Sequence, residues 1–275
     1  MKKTKMTPYK IITIIILVVV SFLLIFPLYW IFTGAFKDAI AINAPVPEWF
    51  PKNPTTDNFV RLFQQPAFMW LWNTVFMAVM AMFLTCATSA MAGYALAKKR
   101  FYGRTVLFGI MICAMALPKQ VILVPLLREM AFLGLHDNIW AVILPVVGWP
   151  FGVFLMKQFA EGIPTEMLEA ARIDGAGEAR AFTQIVLPML KPGIGALAIF
   201  TFITAWNDYF MQLIMLNSRT KLTISLGIAK LQADMSNDFG LIMAGAALAA
   251  LPMLVVFIMF QKYFTQGITM GSVKG

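Results

Sequence analysis

The sequence predicts an all-α membrane protein with six transmembrane helices. Three observations carry that prediction. The 275 residues are 60% hydrophobic and 13% charged, with a mean hydropathy of +0.78, against about 45–50% and about 25% for soluble domains. The apolar residues gather in long continuous runs rather than alternating, which disfavours a barrel. Basic residues fall mainly in alternate connections.

A spanning helix needs about 20 mostly apolar residues, and six runs meet that length: 11–33, 71–97, 105–127, 139–159, 194–216 and 240–264. The first follows Lys2, Lys3, Lys5 and Lys10 in the manner of a signal peptide. It is too long for a typical apolar signal region and no A-x-A-like cleavage site follows, so it reads as a retained helix. The connection 36–66 holds Pro45, Pro47, Pro51 and Pro54 and reads as an extended outer segment. The third run is interrupted by ALPKQVILVP, where Pro118 removes a backbone donor and should kink or break the helix. In the fourth run Pro145, Gly148, Pro150 and Gly152 permit bending. The organisation is a short tail (1–10), one transmembrane domain (11–264) with a polar loop at 160–193, and a second tail (265–275).

An even number of helices puts both termini on one side. That side carries fourteen Lys and Arg and five acids, net +9; the other side carries eight of each, net zero. The excess marks the cytoplasm, so both termini and the 160–193 loop are expected there, in a multi-pass protein embedded in membrane lipid. The basic balance is topogenic and needs no nucleic acid. Cys86 and Cys113 sit in apolar runs and read as small buried hydrophobes, and around the single His136 no metal cluster can be built. No GxxxxGK[ST] loop and no catalytic constellation occurs. No enzyme and no cofactor bound by this chain is expected.

The loop contains EAARIDGAGEARAFTQIVLP, residues 169–188. Pro164 and Thr165 open a helix whose first turn holds Glu166 and Glu169, where acids complement the helix dipole. Met167, Ala170 and Ala171 fall at i, i+3 and i+4 and are expected to share a small-residue face. Gly175 should end the helix in a left-handed cap. A second short helix is expected from about 178 to 186, before Pro188 and Pro192. The result is a helix–turn–helix too polar for lipid, suited to docking a cytoplasmic partner.

The pattern E-A-A, three residues, G, nine residues, I-x-L-P is met by Glu169, Ala170, Ala171, Gly175, Ile185, Leu187 and Pro188. It resembles the EAA loop of bacterial ABC importer permeases. The stretch 73–104, WNDYF (206–210) and the closing QGITMGSVKG are similar to MalG-like permeases of the carbohydrate-uptake class. The resemblance covers nearly the whole chain from residue 11. It implies the type I ABC importer permease fold, with the EAA helix as a coupling helix in a cleft of a separate ATPase dimer. Glu169 would contact the ATPase, Asp174 would lie beside the turn and Gly175 would make it. The tail of Gly271, Ser272, Val273, Lys274 and Gly275 would reach the ATPase dimer. Partners implied are a non-identical, MalF-like permease and an extracellular or periplasmic solute-binding protein delivering sugar. ATP and Mg would be held by the ATPase. Glycerol phosphate esters are the alternative cargo, and an ion-coupled secondary transporter is the rival of another class.

Polar groups at membrane depth are functional candidates by default. Trp206, Asn207, Asp208 and Tyr209 suit a sugar, whose CH faces stack on rings and whose hydroxyls need partners. The competing reading is a packing or gating cluster in which Asp208 pairs with a basic residue of a neighbouring helix. Lys119 and Gln120 follow Pro118. The expectation favours Lys119 snorkelling to the outer interface, with lining of the pathway as the alternative.

Overall fold

The computed structural model describes residues 7–234 and 238–270, with side chains described as far as residue 260. The expected contact of residues 271–275 with an ATPase lies outside the described residues, as do Lys2, Lys3 and Lys5. Every helix and strand assignment among the described residues is helical. The elements are α1 (Pro8–Ala35), α2 (Ala39–Ile42), α3 (Asp57–Gln64), α4 (Ala67–Lys98), α5 (Arg104–Met115), α6 (Lys119–Phe132), α7 (Trp140–Val147) and α8 (Phe151–Glu161). They continue with α9 (Thr165–Ile173), α10 (Glu178–Ala181), a π-helical turn (Phe182–Val186), α11 (Leu187–Met189), α12 (Lys191–Asn207), α13 (Tyr209–Met215), α14 (Ile224–Asp234) and α15 (Phe239–Met270).

Four helical stretches are long and apolar enough to cross a membrane, and up to six if each of two bent pairs counts as one. The single helix expected over 105–127 is instead α5 and α6, bent by 108° at Ala116–Pro118. Pro118 lacks the N–H that would continue the ladder and sits extended, at φ −62° and ψ 129°. The run expected over 194–216 starts earlier, at Lys191, and breaks at Asp208 before α13. The bend from Glu178–Met189 into α12 is 74°.

Two compact units divide the chain. The first comprises residues 1–67 and 227–252. Inside it, Asn58 of α3 is 3% exposed and donates to the carbonyls of Ala35 (3.0 Å) and Lys37 (2.8 Å), the groups left over where α1 ends. Arg61 holds Asp238 with two bonds, of 2.5 and 3.0 Å, while Asp238 caps α15 by accepting from Leu241 N–H at 3.1 Å. Lys37 is 2% exposed, lies 4.0 Å over the Trp30 ring and donates to the carbonyl of Glu48. The proline-rich segment is thereby tied to the end of α1.

The second unit comprises residues 68–226 and 253–275. Here α4 and α8 cross closely where Gly93 meets the backbone of Met156 and Lys157, and Gly152 meets Ser89. Small residues four apart permit such an approach in lipid, where packing rather than the hydrophobic effect joins helices. The irregular stretch 216–223 is held by polar side chains. Asn73 donates to the carbonyls of Thr220 and Leu222, both at 2.9 Å, and Thr74 Oγ1 accepts from Ile224 N–H at 2.8 Å. Gln212 donates to the carbonyl of Ala205 at 3.1 Å, and accepts from Thr223 at 2.5 Å. Non-helical backbone at this depth needs such partners.

Candidate functional site

Two features of the second unit stand out: the platform that carries the EAA loop, and a cleft beside Lys119.

The platform is built from α4, α8, α9, the π turn and α11. Ala90, Tyr94, Ala160, Ile163, Leu168, Val186 and Leu190 form one buried cluster, with Ile185 and Leu187 partly buried against it. The I-x-L-P half of the motif is therefore the anchor, with Pro188 exposed at its end. Tyr94 and Phe182 pack with ring centroids 5.6 Å apart. Lys98 donates to the carbonyls of Glu161 (3.2 Å) and Ile163 (2.6 Å), placing a cation at the C-terminal end of α8. Glu178 pairs with Lys99 and, at 3.1 Å, with Arg172. The Lys99 hydrogen bond is the main cause that holds the Glu178 carboxyl below its usual range, against the opposing effect of burial.

On that mount α9 presents the other half. Pro164 precedes its first turn, which holds Glu166. The helix closes in a Schellman motif: Gly175 N–H donates to Arg172 O (3.0 Å) and Ala176 N–H to Ala171 O (2.9 Å). Gly175 has φ +78°, the left-handed conformation. The face shared by Met167, Ala170 and Ala171 is only partly open to a partner. Ala171 is 7% exposed and turns inward like Leu168 three residues earlier, while Met167 and Ala170 stay outside. Two buried positions three apart define the inner stripe, and Ala170 lies about 100° around the helix from it. Outside lie Glu169, Ala170, Asp174 and, at 86% exposure, Ile173.

The cleft has a volume of about 270 Å³. Its walls include Thr85 of α4, Lys119 of α6, Trp149 between α7 and α8, and Phe200, Thr201 and Thr204 of α12. Lys119 faces Asp208. Its ammonium lies 3.7 Å from the Asp208 carboxylate and 5.0 Å from the centre of the Trp149 ring. The 108° bend delivers it there by starting α6 beside the α12–α13 break. Asp208 also accepts from Met211 N–H at 3.3 Å, capping α13. Of the other candidates, Trp206 is 2% exposed and packs on Phe202, with ring centroids 5.6 Å apart. Asn207 is exposed and donates to Ile203 O at 2.9 Å, and Tyr209 packs against Phe210. Gln120 and Pro118 are exposed. The structure thus brings Lys119 and Asp208 together, with Lys119 alone of the pair in the cleft lining, and leaves Asp208, Trp206, Asn207, Tyr209 and Gln120 outside it.

Sequence reasoning missed Thr85, Trp149, Thr201 and Thr204. Trp149 stands in a Pro- and Gly-rich stretch that was read only for bending; an aromatic at a helix break was the available signal. Thr85 is 3% exposed, and its Oγ1 and Ser89 Oγ are the buried side-chain oxygens without a partner among the described residues. An orphaned buried hydroxyl costs about 1–3 kcal/mol.

A third cluster organises a loop. Asp137, at φ +53°, accepts from the N–H groups of Asn217 (2.8 Å) and Ser218 (3.0 Å) and from the Ser218 hydroxyl, and lies 3.4 Å from Lys221. Burial alone would raise its pKa, but these donors outweigh it and hold the carboxyl well below the usual range. A depressed pKa gives stability that is complete above the ordinary carboxylate value and lost as pH falls through the folded-state value. Asp137→Asn is expected to lower the melting temperature at neutral pH. The gap to wild type should narrow below about pH 4. Thermal unfolding in mild detergent across that range checks it; a gap independent of pH would refute the role of the charge.

Residues 89–270 match the family described as "Binding-protein-dependent transport system inner membrane component". The arabinooligosaccharides transport system permease protein AraQ of Halalkalibacterium halodurans is 34% identical over 260 residues, 93% of each chain. The maltodextrin transport system permease protein MdxG of Bacillus subtilis is 34% identical, covering 97% of this chain and 96% of its own. The diacetylchitobiose uptake system permease protein DasC of Streptomyces coelicolor is 31% identical over 92% of both. A solved bacterial ABC transporter chain involved in the import of the acidic polysaccharide alginate shares the fold. Its TM-score is 0.84 at 23% identity, covering 93% of this chain and 96% of that one.

Bent helical pairs, a capped loop helix on a packed mount and this match define a multi-pass permease of the ABC importer class. The chain belongs to the inner-membrane components of binding-protein-dependent transport systems.

Proposed function

We propose that this chain is one permease subunit of an ATP-driven importer of a sugar or oligosaccharide, forming half of the translocation pathway. The carbohydrate cargo is supported by relatives named for arabinooligosaccharides, maltodextrin and diacetylchitobiose, each matched over at least 92% of this chain. The other half of the pathway is a non-identical permease, and a solute-binding protein delivers the sugar. ATP and Mg bind on a separate ATPase dimer, and both termini lie in the cytoplasm with the EAA loop. The tail 271–275 adds a second contact to the ATPase.

One observation carries the coupling role. The two halves of the EAA segment do opposite jobs: Ile185 and Leu187 anchor to the buried cluster, while Glu169, Ala170 and Ile173 stand exposed on a capped helix. Ile173, at 86% exposure, adds apolar surface to the open side of this polar loop. ATPase closure pushing on α9 is transmitted through its mount to α4, α8 and α12. The docking is tested by purification from native membranes in mild detergent, with mass spectrometry of accompanying chains. Wild type should bring down an ATPase and a second permease. Glu169→Lys combined with Ile173→Asp should lose the ATPase and keep the permease. Undiminished ATPase in the double variant would remove α9 as the dock.

A further inference from the structure

The cleft beside Lys119 has the properties of a ligand site rather than a packing defect. Its volume of about 270 Å³ lies just below the usual range for small-molecule pockets, about 300–1,000 Å³, and suits one ring better than several. Phe200 and Trp149 supply ring surface, and few polar groups converge on it. Three threonines contribute hydroxyls. Thr204 Oγ1 donates to Phe200 O at 2.7 Å and keeps its accepting capacity. Thr85 Oγ1 has no partner among the described residues, although the side chain is 3% exposed. Helical threonines normally bond back one turn, as Thr88 does to Leu84 O at 2.8 Å, so the orphaned Thr85 is unusual. Lys119 and Asp208 bring opposite charges to 3.7 Å, leaving the site with no net charge.

We propose that this cleft is a subsite for a single uncharged sugar ring, stacked on aromatic surface, with Lys119 and the threonine hydroxyls as its hydrogen-bond partners and Asp208, outside the lining, as the counter-charge of Lys119. It rests on the importer reading above and adds that this subunit touches the cargo and selects against charge. A hydroxyl exchanges water for these groups at little cost. A carboxylate would bring an unpaired charge to a site whose one cation is already engaged. Asp208→Asn releases Lys119 and should reverse that preference.

The test uses the complex of this chain with its partner permease and ATPase in lipid nanodiscs. Met115→Cys, in a chain with Cys86→Ala and Cys113→Ala, reports on the cleft through its rate of maleimide labelling. Maltotriose, arabinotriose and trigalacturonate are the probes. The expected result is that at least one neutral trisaccharide slows labelling and trigalacturonate does not. Trp149→Ala should weaken protection about tenfold, and Trp149→Phe should largely restore it. With Asp208→Asn, trigalacturonate should protect. Labelling indifferent to every neutral sugar, equal protection by trigalacturonate in the unmodified pair, or equal losses in Trp149→Ala and Trp149→Phe would each overturn the subsite. Uptake of the same probes, by the importer with its binding protein and ATP, separates the two readings. Uptake without protection defeats the subsite alone. ATP-independent uptake defeats the importer reading and the subsite with it.

Discussion

Gly175→Arg is expected to abolish substrate-stimulated ATP hydrolysis while leaving the chain inserted and folded. Two effects are superposed at this position, and their sizes differ. A side chain at φ +78° is strained by about 1–3 kcal/mol, against the roughly 5–15 kcal/mol that holds a domain together. Nothing within this chain approaches a Cβ placed there. The fold therefore survives, at the cost of a weakened Schellman cap. The large effect comes from bulk and charge thrust into the surface offered to the ATPase. Gly175→Ala carries the strain with almost no bulk, so it should retain most of the stimulated activity. Stimulated ATPase rates of both variants, together with co-purification of the ATPase, make the comparison. Wild-type stimulation in Gly175→Arg would show that the turn does not face the partner. Equal loss in both variants would assign the effect to backbone conformation.

Gly93→Leu is expected to do the opposite, failing at the level of folding. A Cβ at Gly93 would lie 2.6 Å from Met156 Cβ, 2.7 Å from the Met156 carbonyl carbon and 2.7 Å from Lys157 N. Two of these are backbone atoms that no rotamer change can move. Helices α4 and α8 would have to part, and the neighbouring residues Ala90, Tyr94 and Ala160 belong to the cluster under the EAA loop. Overpacking commonly costs about 1–3 kcal/mol; contact with backbone puts this case at or above the upper end. The yield of monodisperse protein in mild detergent and its melting temperature should both fall sharply. Gly93→Ala should fall part of the way, because the first carbon already meets the obstruction. A wild-type melting temperature for Gly93→Leu would mean that the crossing is looser than it stands here.

These two glycines mark the reach of sequence reasoning. Gly175 was legible because its role is local: a helix pattern, a glycine and a turn are encoded within ten residues. Gly93 was not, since its obstruction comes from Met156, far along the chain, and a glycine in an apolar run has many uses. The break at Pro118 follows from one missing N–H, but the 108° bend depends on what receives α6. Met167 and Ala170 could be placed on a helix but not on its outer side, because burial depends on the cluster around Leu168.

The charged pair teaches the same lesson at the cleft. Asp208 and Lys119 were each costly enough at membrane depth to be singled out, and a basic partner for Asp208 was one of the readings. Lys119 was expected to reach for the interface, and the bend sets its ammonium within 3.7 Å of Asp208. Thr85 gave no warning, because threonine is not unusual in an apolar helix, and the signal at Trp149, an aromatic at a helix break, was passed over.

The sequence by itself determined what depends on nearest neighbours in the chain: the helical class, the long apolar runs, the breaks at proline and the capped EAA turn. These follow from backbone hydrogen bonding that lipid leaves unsatisfied and from the conformational limits of Pro and Gly. Only the tertiary structure decided which half of the EAA segment is anchored, which helices touch through glycine, and which cation meets Asp208. Those outcomes are set by contacts between residues scores of positions apart, whose energies exist only once the helices have packed.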